Sequence, residues 1–319
     1  MVGLGGFMDK TLLVVKMVLP VLIMLFLGYF CRVKKIINQQ GLMGIKAVIT
    51  NILIPVVLFN AFYKAEYNLN GFIIFIIIYC CNGLGLAFGY LTKRLVGNNA
   101  KLMPFLLSGY EVGMLGYALF TLLVGVDNIH YLATVDLGQT LFVYTIYIML
   151  LTSTAGGKPT AKSLLMGMVK NSAFLGAVFG ILVGSTGLGA VILGSPVGDI
   201  FSQTLIFITA PTSAMILIIV GYEISFRKDL MKPVFKTIGL RLFSVLVLLF
   251  ASSEIIFHIM PFNKTLFTAM LLFFSLPATF IIPLYANIEG ENEYVSTTLS
   301  MNTLVTIAIF FGLAFYVIA

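Results

Sequence analysis

Three ionisable residues stand inside long apolar runs, where a charge needs a reason to be. Glu111 falls near the middle of the run 102–124, Asp136 near the middle of 129–151, and Arg241 near the middle of 233–256. A charged side chain at such a depth costs a few kcal/mol or more, so each is expected to be neutral, paired, or turned to a watery cavity. Glu111 can carry a coupling proton or serve as a neutral hydrogen-bonding group. Arg241 can bind a substrate carboxylate, pair with an acid, or snorkel along the helix to water. Asp136, three residues before Gln139, can be a coupling-ion ligand or a partner of Lys16. Asn51, Thr209, Ser275 and Asn302 are mid-run polar groups that coordinate a substrate or join helices to one another.

Helix breakers surround these residues. Gly109, Gly113 and Gly116 flank Glu111; Pro277 lies at the centre of the run 264–287 with Pro283 beyond it; Asn51 and Pro55 interrupt 42–62, and Thr209, Ala210 and Pro211 interrupt 198–222. An internal proline removes a backbone bond and clashes with the preceding turn, at about 3 kcal/mol in a soluble helix. Broken helices at the bilayer centre offer unpaired N–H or C=O groups to an ion or anionic substrate, and such pairs in corresponding positions of two halves mark transporter sites. The candidate substrate site is therefore Glu111, Gly113, Gly116, Asn51, Pro55, Thr209, Pro211, Ser275, Pro277 and Arg241, with Glu111 and Asp136 as ion-coupling residues.

The elements that must position them are membrane spans. Of 319 residues 60% are hydrophobic and 10% charged, and the mean hydropathy is +1.08, which excludes a pair of soluble domains. About 20 helical residues cross a hydrocarbon core, and such windows fit at 11–31, 42–62, 70–92, 102–124, 129–151, 163–184, 198–222, 233–256, 264–287 and 295–318. The expected fold class is an all-α membrane protein of ten helices. Residues 152–162 (TSTAGGKPTAK) form a polar linker dividing the windows five and five, into 1–151 and 163–319. An odd number of spans in each half makes the halves inverted repeats, with the broken fourth and ninth helices crossing.

Orientation follows from short-loop Lys and Arg. One side carries Arg32, Lys34, Lys35, Lys93, Arg94, Lys101, Lys158, Lys162, Lys170, Arg227, Lys228, Lys232 and Lys236, thirteen in all; the other carries Lys10, Lys64 and Lys264. The thirteen face the cytoplasm and both termini lie outside. Glu289, Glu291 and Glu293 run against this trend. A net charge of +7 without a solvated basic face excludes nucleic acid as a partner. Cys31, Cys80 and Cys81 are expected to be small buried hydrophobes. Neither a nucleophile motif nor ligand spacing around His130 and His258 indicates an enzyme, a cofactor or a metal site.

The order of motifs resembles the auxin efflux carrier family. FLGYFCRVKKII at 26–37 and KAVITNILIPVVLFNA at 46–61 are similar to its opening; Lys170, Asn171 and Gly180, then Pro211 with Gly221, Arg241, and Pro277 through Tyr285 and Ala286 follow in its order. The resemblance covers about 300 residues. It implies ten helices in two inverted repeats, similar in architecture to bile-acid sodium symporters, with the substrate beside the crossing of the fourth and ninth. Bacterial relatives include permeases for malate and other organic anions. The family's Asn-x-Gly-x-x-Gly-x-Pro stands here as Glu111, Gly113, Gly116 and Ala118, so both glycines remain while the Asn and the Pro are replaced.

The expected function is alternating-access transport of a small organic anion, a carboxylate such as malate or an auxin-like acid, across the plasma membrane. A proton is the expected coupling ion and a homodimer a candidate assembly. The alternatives are a sodium-coupled bile-acid-type symporter and, from another class, a channel or membrane receptor. A channel would need a continuous polar helix face, and a receptor a signalling domain.

Overall fold

The computed structural model describes residues 2–63, 69–97, 100–158, 160–286, 288 and 290–318, without the side chains of 2–11, 161, 164 and 284. Of the loop charges weighed above, Lys64, Glu289 and the side chain of Lys10 lie outside the described residues. Among the described residues every regular element is a helix, as expected where backbone groups in lipid must be satisfied within their own segment.

Seven helical stretches are long and apolar enough to cross a membrane. They are α1 (Val2–Val33), α2 (Gln39–Tyr63), α3 (Leu69–Val96), α5 (Val126–Thr154), α7 (Gly198–Glu223), α8 (Met231–Ile259) and α10 (Asn292–Ile318). The remaining three windows hold shorter apolar helices: α4b (Val112–Val124), α6b (Ser172–Ser185) and α9a (Lys264–Ser275). Four short helices accompany them among the described residues, α4a (Met103–Leu106), α6a (Ala161–Lys170), α6c (Leu188–Leu193) and α9b (Ile282–Tyr285).

The breakers act to different degrees. In α2 the chain widens into a π turn over Ile49–Leu53 and continues helically through Pro55. In α7 it turns at Ala210 and Pro211 between Gly198–Thr209 and Thr212–Glu223. The window 163–184, expected to be continuous, is divided at Asn171, whose side chain accepts from Phe174 N and starts a new helix. Complete interruptions occur in the windows 102–124 and 264–287.

Helices pack closely where side chains are missing. A Cβ on Gly28 of α1 would strike the carbonyl oxygen of Ile218, and one on Gly221 of α7 that of Leu25. Between α2 and α6b the same holds for Gly176 against Pro55 and Gly180 against Phe59. Lipid gives helices no hydrophobic reason to associate, so backbone approach of this kind and interhelical hydrogen bonds supply the cohesion. The buried apolar residues form two clusters. One contains Tyr110, Val112 and Leu276, the other Leu106, Leu107 and Ala278, so the interruptions lie where the clusters meet.

Of the three cysteines only Cys81 is buried; Cys31 is half-buried and Cys80 exposed on the outer face of α3, which corrects the expectation for Cys80. Two of the acidic loop residues that ran against the charge trend have partners. Glu291 accepts from the backbone N–H of Lys101 at 2.8 Å and of Leu102 at 2.7 Å, and Glu293 pairs with Arg227 at 2.6 Å.

Candidate functional site

The site begins with two failures of helix. After α4a the chain leaves the helical path at Ser108, and Gly109 takes φ +71°, where a Cβ would also press on Thr279 Cγ2 at 3.1 Å. Only glycine adopts that conformation without strain. The helix restarts at Val112, with Glu111 as its N-cap. In the other interruption Pro277 has no N–H and drives the preceding residue to extended backbone; Leu276 stands at φ −65°, ψ 151°.

The two interruptions meet. Glu111 N donates to Pro277 O at 2.9 Å. At membrane depth each freed backbone group needs a partner, and side chains provide them. Arg241, 2% exposed, donates from Nη1 to Leu106 O at 2.7 Å, and from Nη2 to Gly109 O at 3.0 Å and Leu276 O at 2.9 Å. Its guanidinium carbon lies 5.0 Å from the Tyr110 ring centroid. Gln139 donates to Tyr110 O, and Asn82 Oδ1 accepts from Gly109 N at 3.3 Å while Ser108 Oγ donates to Asn82 O at 2.7 Å. Thr306 donates to Ser275 O.

Glu111 answers the opposite ends. Its Oε1 accepts from Met114 N at 3.2 Å and its Oε2 from Phe280 N. A carboxylate thus faces the starting N–H groups beyond both breaks, and a guanidinium faces carbonyls at the ends of α4a and α9a. Each sign opposes the partial charge of the helix end it touches.

A cavity of about 130 Å³ opens beside Glu111 and is lined by Gly113, Tyr117, Asp136, Gln139, Thr140, Tyr144 and Thr279 among polar and small groups, with Ile54, Leu58 and Val143 as apolar wall. A 150 Å³ apolar cavity accepts a benzene-sized molecule, so this space suits a small ligand or several waters. Asp136, 6% exposed, accepts from the Tyr117 hydroxyl at 3.0 Å. Lys16 is exposed and forms no ion pair with it among the described residues.

Of the residues singled out from sequence, the cavity brings together Glu111, Gly113 and Asp136. Pro277, Gly116, Ser275 and Arg241 belong to the crossing rather than to the cavity wall: Gly116 packs on Leu276, and Ser275 lends its carbonyl to Thr306. The donors of Arg241 are engaged by three carbonyls. Asn51 is exposed and bonds Ala47 O and Ser172 Oγ; Thr209 bonds Leu205 O; Pro55 packs on Gly176; Pro211 is exposed. Tyr110, Tyr117, Thr140, Tyr144 and Thr279 were not singled out. The signal for Tyr117 and Thr140 lay in their place, six residues after Glu111 and four after Asp136.

A protein of Methanothermobacter thermautotrophicus described as an uncharacterized transporter is 23% identical to this chain over 307 residues, which span 91% of this chain and 94% of its own length. This is a multi-span membrane protein. No family model matches the chain.

Proposed function

We propose that this protein is a secondary transporter that moves a small organic anion across the cell membrane by alternating access, coupled to protons at the cavity that Glu111 and Asp136 share. The observation that carries the reading is a pair of buried carboxylates on one cavity beside two interrupted helices, the arrangement in which transporters hold substrate and coupling ion. The likeness to a transporter over nearly the whole chain supports the class of function. Two inverted repeats, 1–151 and 163–319, are supported by the way partners recur: α1 lies on α7 as α6b lies on α2, and α3 on α5 as α8 on α10. The charge asymmetry supports a cytoplasmic linker and external termini.

Among the described residues neither Lys, Arg nor His lines the cavity. An anion therefore enters a space that already holds carboxyl groups, and proton uptake removes the repulsion. The test is uptake of labelled malate and of an indole acid into proteoliposomes under an imposed pH gradient, beside counterflow at equal pH. Accumulation that follows the pH gradient is expected. Accumulation driven equally by sodium at constant pH would instead favour the sodium-coupled reading, which the oxygen-rich polar lining also suits. Failure of every carboxylate under both gradients would remove organic anions as the cargo.

A further inference from the structure

We propose that the exchangeable proton of the cavity resides on Asp136, where it bridges to Gln139, and that Glu111 is a permanent carboxylate that holds the crossing closed; this rests on reading the cavity as the coupling site. Each Glu111 oxygen faces a backbone N–H, Met114 on one and Phe280 on the other. Such donors cannot reverse, and two of them on two oxygens is the pattern of an ionised carboxylate, which only accepts.

Asp136 is differently placed. Its carboxyl group meets two hydroxyls, Tyr117 at 3.0 Å and Thr140 four residues on, and a hydroxyl, unlike a backbone N–H, can accept as well as donate. Gln139 follows three residues later on the same helix, on the same face. The Gln139 Nε2 is fixed on Tyr110 O, which sets which end of the amide is oxygen. Its Oε1 is buried and has no partner among the described residues, and the residue, 5% exposed, lines the cavity. An acceptor without a donor beside a carboxyl group lacks one hydrogen, and a proton on the second Asp136 oxygen supplies it. When that proton passes to cavity water, two acceptor oxygens face each other and the hold of Gln139 on Tyr110 is disturbed. The proton is thereby linked to the crossing itself.

The surroundings agree. Sharing the cavity with Asp136 are Tyr117 from α4b, Glu111 and Tyr110 from the first interruption, and Thr140 and Tyr144 on its own helix; α2, α6b and the second interruption turn Ile54, Leu58, Ala173, Phe174 and Thr279 to it, none of them titratable. On α3 the Tyr79 hydroxyl is shared with Thr145, and Arg241 is occupied by carbonyls. Glu111 therefore has donors that cannot reverse, Asp136 has hydroxyls that can, and among the described lining residues no cation is at hand for a second charge.

Infrared spectra of the purified full-length protein at neutral pH test this assignment through the carbonyl stretch of a protonated carboxylic acid. The wild type should show such a band. Asp136→Asn, which keeps a donor toward Gln139, should lose it; Glu111→Gln should keep it; Gln139→Leu should keep it but move it toward the frequency of a weaker hydrogen bond. Absence of the band in wild type, its survival in Asp136→Asn, its loss in Glu111→Gln, or an unmoved band in Gln139→Leu would each overturn the proposal. Should Glu111→Gln fail to fold, the other two variants decide. Because no substrate is involved, failure of pH-driven uptake would sink the transport reading while leaving this spectrum unchanged.

Discussion

Arg241→Met replaces three charged N–H donors by an apolar chain of similar length and leaves Leu106, Gly109 and Leu276 with orphaned carbonyls. A bond from a charged donor contributes about 1.5–3 kcal/mol, so the gross loss is roughly 4–9 kcal/mol. Relief from burying the guanidinium offsets several kcal/mol. The net expectation is about 3–5 kcal/mol, the usual result of breaking a buried charged group's contacts from one side. With an unfolding entropy of about 2.1 cal/mol/K per residue, 319 residues give about 0.7 kcal/mol/K, and the midpoint falls by roughly 4–7 °C. Arg241→Lys keeps the charge without the fork and should lose about half as much. The chain has no tryptophan, so unfolding is best followed with a thiol-reactive dye at Cys81, which is 6% exposed, after Cys31 and Cys80 are changed to serine. A midpoint unchanged within about 1 °C in Arg241→Met, together with weakened carboxylate binding, would refute the assignment of this residue to the crossing.

Gly109→Ala must hold φ +71° with a side chain, at about 1–2 kcal/mol, so the same dye should report a fall of roughly 2–3 °C; no change would mean that the break can relax. Glu291→Gln turns an amide against one of two backbone donors and should cost about 1 kcal/mol, a shift near the limit of the assay that becomes clear in the double variant with Gly109→Ala. A cysteine at Gly157 in a cysteine-free background should stay unlabelled by an impermeant maleimide on intact cells and react after permeabilisation. Strong labelling of intact cells would invert the topology.

Much of the crossing was legible in advance because glycine and proline carry backbone consequences that do not depend on context. Gly109 and Pro277 mark the two complete interruptions, and Glu111 between glycines could hardly be a lipid-facing residue. Arg241 was legible as a buried cation but not in its role, since its partners are carbonyl oxygens, which every residue possesses and no sequence reveals. The division of the sixth window at Asn171 escaped for a related reason: asparagine caps a helix only when its own backbone is extended, as it is here at φ −82°, ψ 112°, and nothing local announces that. The π turns at Ile49–Leu53 and Val143–Tyr147 leave hydrophobic windows of ordinary length. Asn51 and Thr209 were read by depth alone, and depth does not say which way a side chain points.

The contacts that close the crossing also set a schedule for its making. Phe280 lies 169 residues after Glu111, and Arg241 lies 135 after Leu106. At about 5–20 residues per second on the ribosome, Glu111 waits about 8–34 s for its distant donor to be synthesised. Through that interval the first interrupted helix carries a bare carboxylate and open carbonyls that lipid cannot satisfy. It must be sheltered by the insertion machinery until the second half arrives. Chains truncated just before Arg241 never receive that partner, even though every helix through α7 is complete.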